Sequence, residues 1–133
     1  MDNKFSHLDK KGNARIVNIS KKNKSSRYAK AQASVWLSSK IIAMIKNDEF
    51  KKGNVISVAR IAGIMGAKQT SNLIPLCHNI SLDSSEINFR LLEEELEIVS
   101  IVQSEEKTGV EMEALTAVTI SALTIYDMVK GVD

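Results

Sequence analysis

The chain has 133 residues, 44% apolar and 26% charged, with a net charge of +2, which fits one ordinary globular domain and excludes disorder and any need for a disulfide or metal staple. So balanced a charge predicts no nucleic-acid partner. The single cysteine, Cys77, cannot form an internal disulfide, the opening MDNKFSHLDKKGN lacks the apolar core of a signal peptide, and no stretch reads as the ~20 apolar residues of a membrane span; the chain is read as soluble and cytoplasmic, with no membrane partner.

Residues 1–13 read as a polar, flexible arm ending at Gly12-Asn13. ARIVNIS (14–20) is a strand candidate and KKNKSS (21–26) a charged loop. In RYAKAQASVWL, Ala29, Ala31, Ala33, Val35 and Leu37 share one face at period two, with Lys30, Gln32 and Ser34 on the other. That alternation predicts a half-buried strand against alanine's preference for helix. SSKIIAMIKNDEF is a short helix capped by Ser38 or Ser39, with Ile41, Ile42 and Ile45 as its apolar face. Asn54 caps a second helix, VISVARIAGIMGAK. Gly63 and Gly66 in it cost about 1 kcal/mol each relative to alanine, and either admit close backbone packing or loosen the helix end. QTSNLIPLCHNI is a structured loop. Ile87, Phe89 and Leu91, then Leu96 and Ile98, alternate with polar residues on either side of LEEE, a β-hairpin pattern. KTGVEMEALTAVTISALTIYDMVKG is one long helix, with Thr108 and Glu111 at capping-box spacing and Gly131 suited to its stop. The order strand, strand, helix, helix, hairpin, helix predicts a single α+β domain: an antiparallel sheet with helices on one face.

The long helix is apolar nearly all round. A sheet covers one side, so the other is expected to meet a second subunit. Its polar exceptions are Glu111 and Glu113 in the first turn and Asp127 and Lys130 in the last. The plain reading is two carboxylates favoured by the helix N-terminus and a surface ion pair. The sharper one is an acid–base pair, because Asp127 lies between Tyr126 and Met128 in an apolar run. Glu111 and Asp127 are separated by about 24 Å along a straight helix, so both can serve one small ligand only if two copies of the helix pair antiparallel at a subunit interface. Cys77 and His78 are adjacent, a spacing that gives no support to a nucleophile–base dyad. One cysteine and two histidines without paired spacing do not make a zinc site. His78 is a core histidine, a polar ligand contact or a proton donor. Lys52 and Lys68 are exposed lysines or anion contacts, since GIMGAK is not a phosphate loop.

ARIAGIMGAKQTSNLIPLCHNI and KTGVEMEALTAVTISALTIYDMVK closely resemble the molybdenum-cofactor biosynthesis protein C family, the cyclic pyranopterin monophosphate synthases. KKGNV and IVNIS align in the same order, and the resemblance spans about residues 13–131. It implies a ferredoxin-like α+β fold, assembled as a homohexamer (a trimer of dimers) with active sites at the dimer interface. The activity it implies is a lyase converting 3′,8-cyclo-7,8-dihydro-GTP to cyclic pyranopterin monophosphate and diphosphate, with no metal or organic cofactor. By motif, Asp127 and Lys130 correspond to an acid–base pair and Lys52 to a catalytic or phosphate-orienting lysine. Leu76, Cys77, His78, Glu111, Met112 and Glu113 correspond to substrate contacts, and Lys68 and Arg27 to residues holding the triphosphate. Family members usually continue past the long helix with a strand, a lysine and a glycine-rich tail, whereas this sequence ends at Asp133. The alternative expectation is a catalytically impaired binding subunit.

Overall fold

A computed structural model describes residues 6–132. The elements run β1 (Ser25–Trp36), α1 (Ser39–Lys46), α2 (Val55–Lys68), α3 (Thr70–Leu73), β2 (Ser84–Leu91), β3 (Glu95–Glu106) and α4 (Glu111–Val129). The three strands form an antiparallel sheet in the order β1-β3-β2, with helices on one face, an α+β ferredoxin-like arrangement. Period-two patterning explains the central strand. Leu96, Ile98, Ser100, Val102 and Ser104 of β3 are buried, while their neighbours face the open side. Ser100 tolerates burial because its hydroxyl donates to the Ala114 carbonyl of α4 at 2.7 Å. On β1, Ala31 is buried and Lys30, Gln32 and Ser34 are exposed, so the alternation prevails over alanine's helix preference.

The helix caps fall where the residue types place them. Ser38 Oγ accepts from the Ile41 N–H at 3.3 Å, and Asn54 Oδ1 from the Ser57 N–H at 2.8 Å. The two glycines of α2 serve close packing. A Cβ on Gly63 would lie 2.1 Å from Ser121 Oγ and 2.9 Å from the Ala117 carbonyl, and one on Gly66 would lie 2.8 Å from Ile120 Cγ1. The seam is pinned by Ser121 Oγ donating to the Ala59 carbonyl at 2.9 Å. Thus α2 covers part of the side of α4 that the sequence reading left to a second subunit. What stays exposed in the single chain is a stripe of Met112, Leu115, Leu123 and Tyr126 on α4, beside Val58, Ile61 and Met65 on α2. Contrary to the sequence expectation, α4 has the length and mean hydropathy (1.3) of a membrane span by composition, but half of it is buried inside the domain as the core helix.

Local expectations need correction or refinement at several points. ARIVNIS forms no extended strand: Ala14 makes one isolated bridge to Leu8, and Ile16 is exposed. Its Val17 carbonyl bonds to the His78 ring instead of to a neighbouring strand. Thr108 does not cap α4, whose N-cap is Val110, fully buried and without a side-chain cap. Burying Val110 fixes the helix start two residues beyond the capping-box position. QTSNLIPLCHNI contains a short helix, α3, tied back to α2 by Thr70 Oγ1 donating to the Ala67 carbonyl at 2.8 Å. Gly131 follows the α4 C-cap, Lys130, without left-handed backbone. Within the predicted arm, residues 6–15 double back. Asp9 Oδ1 accepts from the N–H groups of Lys11 and Asn13 at 2.8 and 2.9 Å, and Gly12 turns at φ 82°. Residues 1–5 of the arm and Asp133 lie outside the described residues.

Candidate active site

The candidate residues gather at the two ends of α4. At the C-terminal end, Asp127 Oδ1 is 3.1 Å from Lys130 Nζ, one helical turn on. Lys52, from the connection between α1 and α2, donates to the Asp127 backbone carbonyl at 2.9 Å and lies 3.8 Å from Oδ2. Gly53 makes this approach possible, turning the chain at φ 127°, where a side chain would be strained. The cluster is open to solvent, with all three side chains more than half exposed. The Lys130 hydrogen bond, then the charges of Lys52 and Lys130, hold the Asp127 carboxyl below its ordinary range. The arrangement is a carboxylate flanked by two ammonium groups: a net cationic patch that can accept and give protons at one point.

At the N-terminal end, Leu76, Cys77, His78, Glu111, Met112 and Glu113 line one cleft of about 150 Å³, joined by His7, Thr108 and Gly109. Two segments far apart in sequence build it. Pro75 sits in a turn closed by the Cys77 N–H on the Ile74 carbonyl at 3.3 Å, which sets Leu76–His78 against the first turn of α4. The helix brings Glu111 and Glu113 in its first turn, where the N–H groups of the helix end favour negative charge. Glu113 is only 3% exposed, and the Cys77 thiol contacts its Oε2 at 3.9 Å. Burial raises the Glu113 pKa. Its own N–H and the Cys77 thiol oppose that rise, and the charge of Glu111 adds to it. Burial first, then Glu113, pushes the Cys77 thiol up, so Cys77 is a poor nucleophile. The His78 Nε2 bonds to the Val17 carbonyl; a carbonyl can only accept, so Nε2 carries the proton and a neutral ring offers Nδ1 as an acceptor. Among the described residues, no three His, Cys, Asp or Glu side chains converge as a metal site.

The other two candidates stand apart from both clusters. Lys68 is the exposed last residue of α2 and does not line the cleft. Arg27, on β1, donates from Nε and Nη2 to the carbonyls of Glu106 and Lys107, both at 3.2 Å, and so holds the β3–α4 connection. His7, Thr108 and Gly109 were not expected at the cleft. For His7 the available signal was turn chemistry, Asp9 and Gly12 three apart, within what read as a polar arm.

The chain matches the MoaC family over residues 16–133. It is 50% identical over 129 residues to a protein of Peptoclostridium acidaminophilum, covering 97% of this chain and 82% of the relative. It is 53% identical over 135 residues to one of Clostridium perfringens, covering 100% and 85%. It is 47% identical over 135 residues to one of Natranaerobius thermophilus, again covering 100% and 85%. All three relatives are named cyclic pyranopterin monophosphate synthase. With a match that takes in both ends of α4 and the Leu76–His78 wall, this chain belongs to the MoaC family.

Proposed function

We propose that the chain is a cyclic pyranopterin monophosphate synthase, a lyase of molybdenum cofactor biosynthesis that converts 3′,8-cyclo-7,8-dihydro-GTP to cyclic pyranopterin monophosphate and diphosphate. The observation that carries the chemistry is the Lys52–Asp127–Lys130 cluster, in which two ammonium groups converge on one ionised carboxylate. Rearranging a purine-derived ring needs protons taken from and returned to nitrogen and carbon, which a carboxylate and an ammonium within hydrogen-bond reach supply. Releasing diphosphate breaks the bond between the α- and β-phosphates as a substrate hydroxyl attacks the α-phosphorus. Cations at the cluster offset the charge of the triphosphate. Lys68 and the remaining N–H groups of Arg27 are further phosphate contacts in this reading.

The cleft at the other end of α4 takes the nitrogen-rich ring. Glu111 and Glu113 accept its N–H groups, Met112 and Leu76 cover its faces, and Cys77 and His78 form the wall. The two ends are about 24 Å apart in one chain, so a complete site draws on two chains. The exposed stripe from Met112 to Tyr126 supports this: antiparallel pairing of two stripes would bring Met112 of one chain toward Tyr126 and Asp127 of another. The assembly is a homohexamer built as a trimer of such dimers, in the cytoplasm. A catalytically impaired binding subunit is not favoured, since the relatives across the whole chain bear the synthase name.

The test is diphosphate release from purified cyclised dihydro-GTP. Asp127→Asn is expected to lower kcat by ~10²–10⁴-fold. Turnover at the wild-type rate in that variant would sink the catalytic assignment, and absence of turnover in the wild type would sink the function.

A further inference from the structure

We infer that His7 is a further substrate-contacting residue of the cleft, held over it by the folded segment 6–20. The inference rests on the synthase reading of the cleft, and it adds a wall that the motifs did not include. His7 lines the same cleft as Glu111, Glu113 and His78. It is not on a loose strand of chain. The Arg15 N–H bonds to the His7 carbonyl at 2.8 Å, and Leu8 bridges Ala14. The turn between them is closed by the two hydrogen bonds to Asp9 Oδ1 and by Gly12. Farther along, the segment is moored on the cleft's own wall by the His78 ring on the Val17 carbonyl, and on the β3–α4 connection by Lys107 Nζ on the Ser20 carbonyl at 3.3 Å. A hairpin closed on itself and moored along its C-terminal side therefore presents one imidazole to the cleft.

The chemistry of the lining gives that imidazole a role that the carboxylates and His78 do not fill. Glu111 and Glu113, when ionised, only accept hydrogen bonds. His78 has Nε2 bound to Val17, which leaves it an acceptor when neutral. Among the described residues no hydrogen bond engages the His7 ring, which shares the cleft with the carboxylates, so it can offer an N–H to a ligand there. A purine-derived ring carries both N–H groups and a carbonyl oxygen. The carboxylates suit the first, and the His7 N–H suits the second. Because the contact is made in the bound state as well as during reaction, its loss falls on affinity more than on turnover.

Steady-state kinetics on the full chain with cyclised dihydro-GTP test this, alongside Tm. His7→Ala is expected to raise KM about tenfold with kcat within about twofold and Tm unchanged. His7→Gln, which keeps an N–H donor, should recover part of the loss, and Asp9→Ala, which opens the turn, should raise KM in the same direction. If KM of His7→Ala stays within about twofold of wild type while Glu113→Gln raises it, the His7 contact is wrong and the synthase reading stands. A His7→Ala variant whose KM rises only together with a lowered Tm assigns His7 a structural role and overturns the inference. A wild type that neither binds nor converts the compound overturns both.

Discussion

Asp127 has two ammonium groups at 3.1 and 3.8 Å from its carboxylate, and this pairing sets how the residue responds to pH. Its folded pKa is depressed, so the pairing favours the folded, ionised state above the ordinary carboxylate range and is lost as pH falls through the lowered value. Lys130→Ala removes the largest cause. The Asp127 carboxyl should then titrate at higher pH than in the wild type, measured by carbon NMR of the side chain. Glu113 behaves in the opposite sense. Burial raises its pKa, so the folded chain holds that proton more tightly than the unfolded chain does. Its contribution is fully present below the ordinary value of 4.5 and declines as pH rises through the raised folded value. Glu113→Gln keeps the shape and an acceptor for Cys77 but removes the charge. It should raise Tm by about 3 °C at neutral pH, with no gain near pH 4, while weakening substrate binding. Cys77 draws attention as the chain's one cysteine, next to His78; its raised pKa and its contact with a buried carboxylate suit a wall residue rather than a nucleophile.

Among the elements, the α2–α4 seam carries the clearest energetic consequence. Gly63→Ala would gain about 1 kcal/mol of helix propensity. The added Cβ, however, meets Ser121 Oγ, which is already engaged with the Ala59 carbonyl, and the Ala117 backbone. Overpacking of this kind costs about 1–3 kcal/mol, so Gly63→Ala should lower Tm, whereas Gly131→Ala, with nothing within 4 Å, should leave it unchanged. The sequence left open whether the glycines pack or fray; only the position of Ser121 and Ile120 on the facing helix decides it. Period-two patterning made β1 and the hairpin legible, because in those segments a buried face alternates with a wet one. Strand propensity misled at 14–20: Ile16, Val17 and Ile19 are β-branched, yet no sheet edge receives them, and their segment straps the cleft instead. Thr108 had the right spacing for a cap, and a buried Val110 overrode it. The candidate residues that gather at both ends of α4 were legible through their motifs. His7 was not, since what places it is a turn and two distant moorings.

At the scale of the whole molecule, one chain carries two candidate clusters, one at each end of α4. If two chains complete each site, mixing Asp127→Asn with Glu113→Gln should restore part of the activity that each variant lacks alone, because some mixed dimers contain one site with neither defect. No recovery above the sum of the separate variants would mean that each chain works by itself. The exposed stripe gives a second test. Leu123 and Tyr126 are each 62% exposed in the single chain. Leu123→Lys should therefore leave Tm of the isolated domain nearly unchanged but shift sedimentation to smaller species and abolish turnover. The continuity of α4 also bears on how the gene can change length. A residue inserted between Glu113 and Asp127 turns everything beyond it by about 100° and advances it by about 1.5 Å. That single step would carry Asp127 away from Lys52 and Tyr126 off the apolar stripe, even if every side chain kept its identity. Insertions and deletions should thus be tolerated in the Leu92–Glu94 turn of the hairpin and rejected throughout α4, where the count of residues is itself the specification.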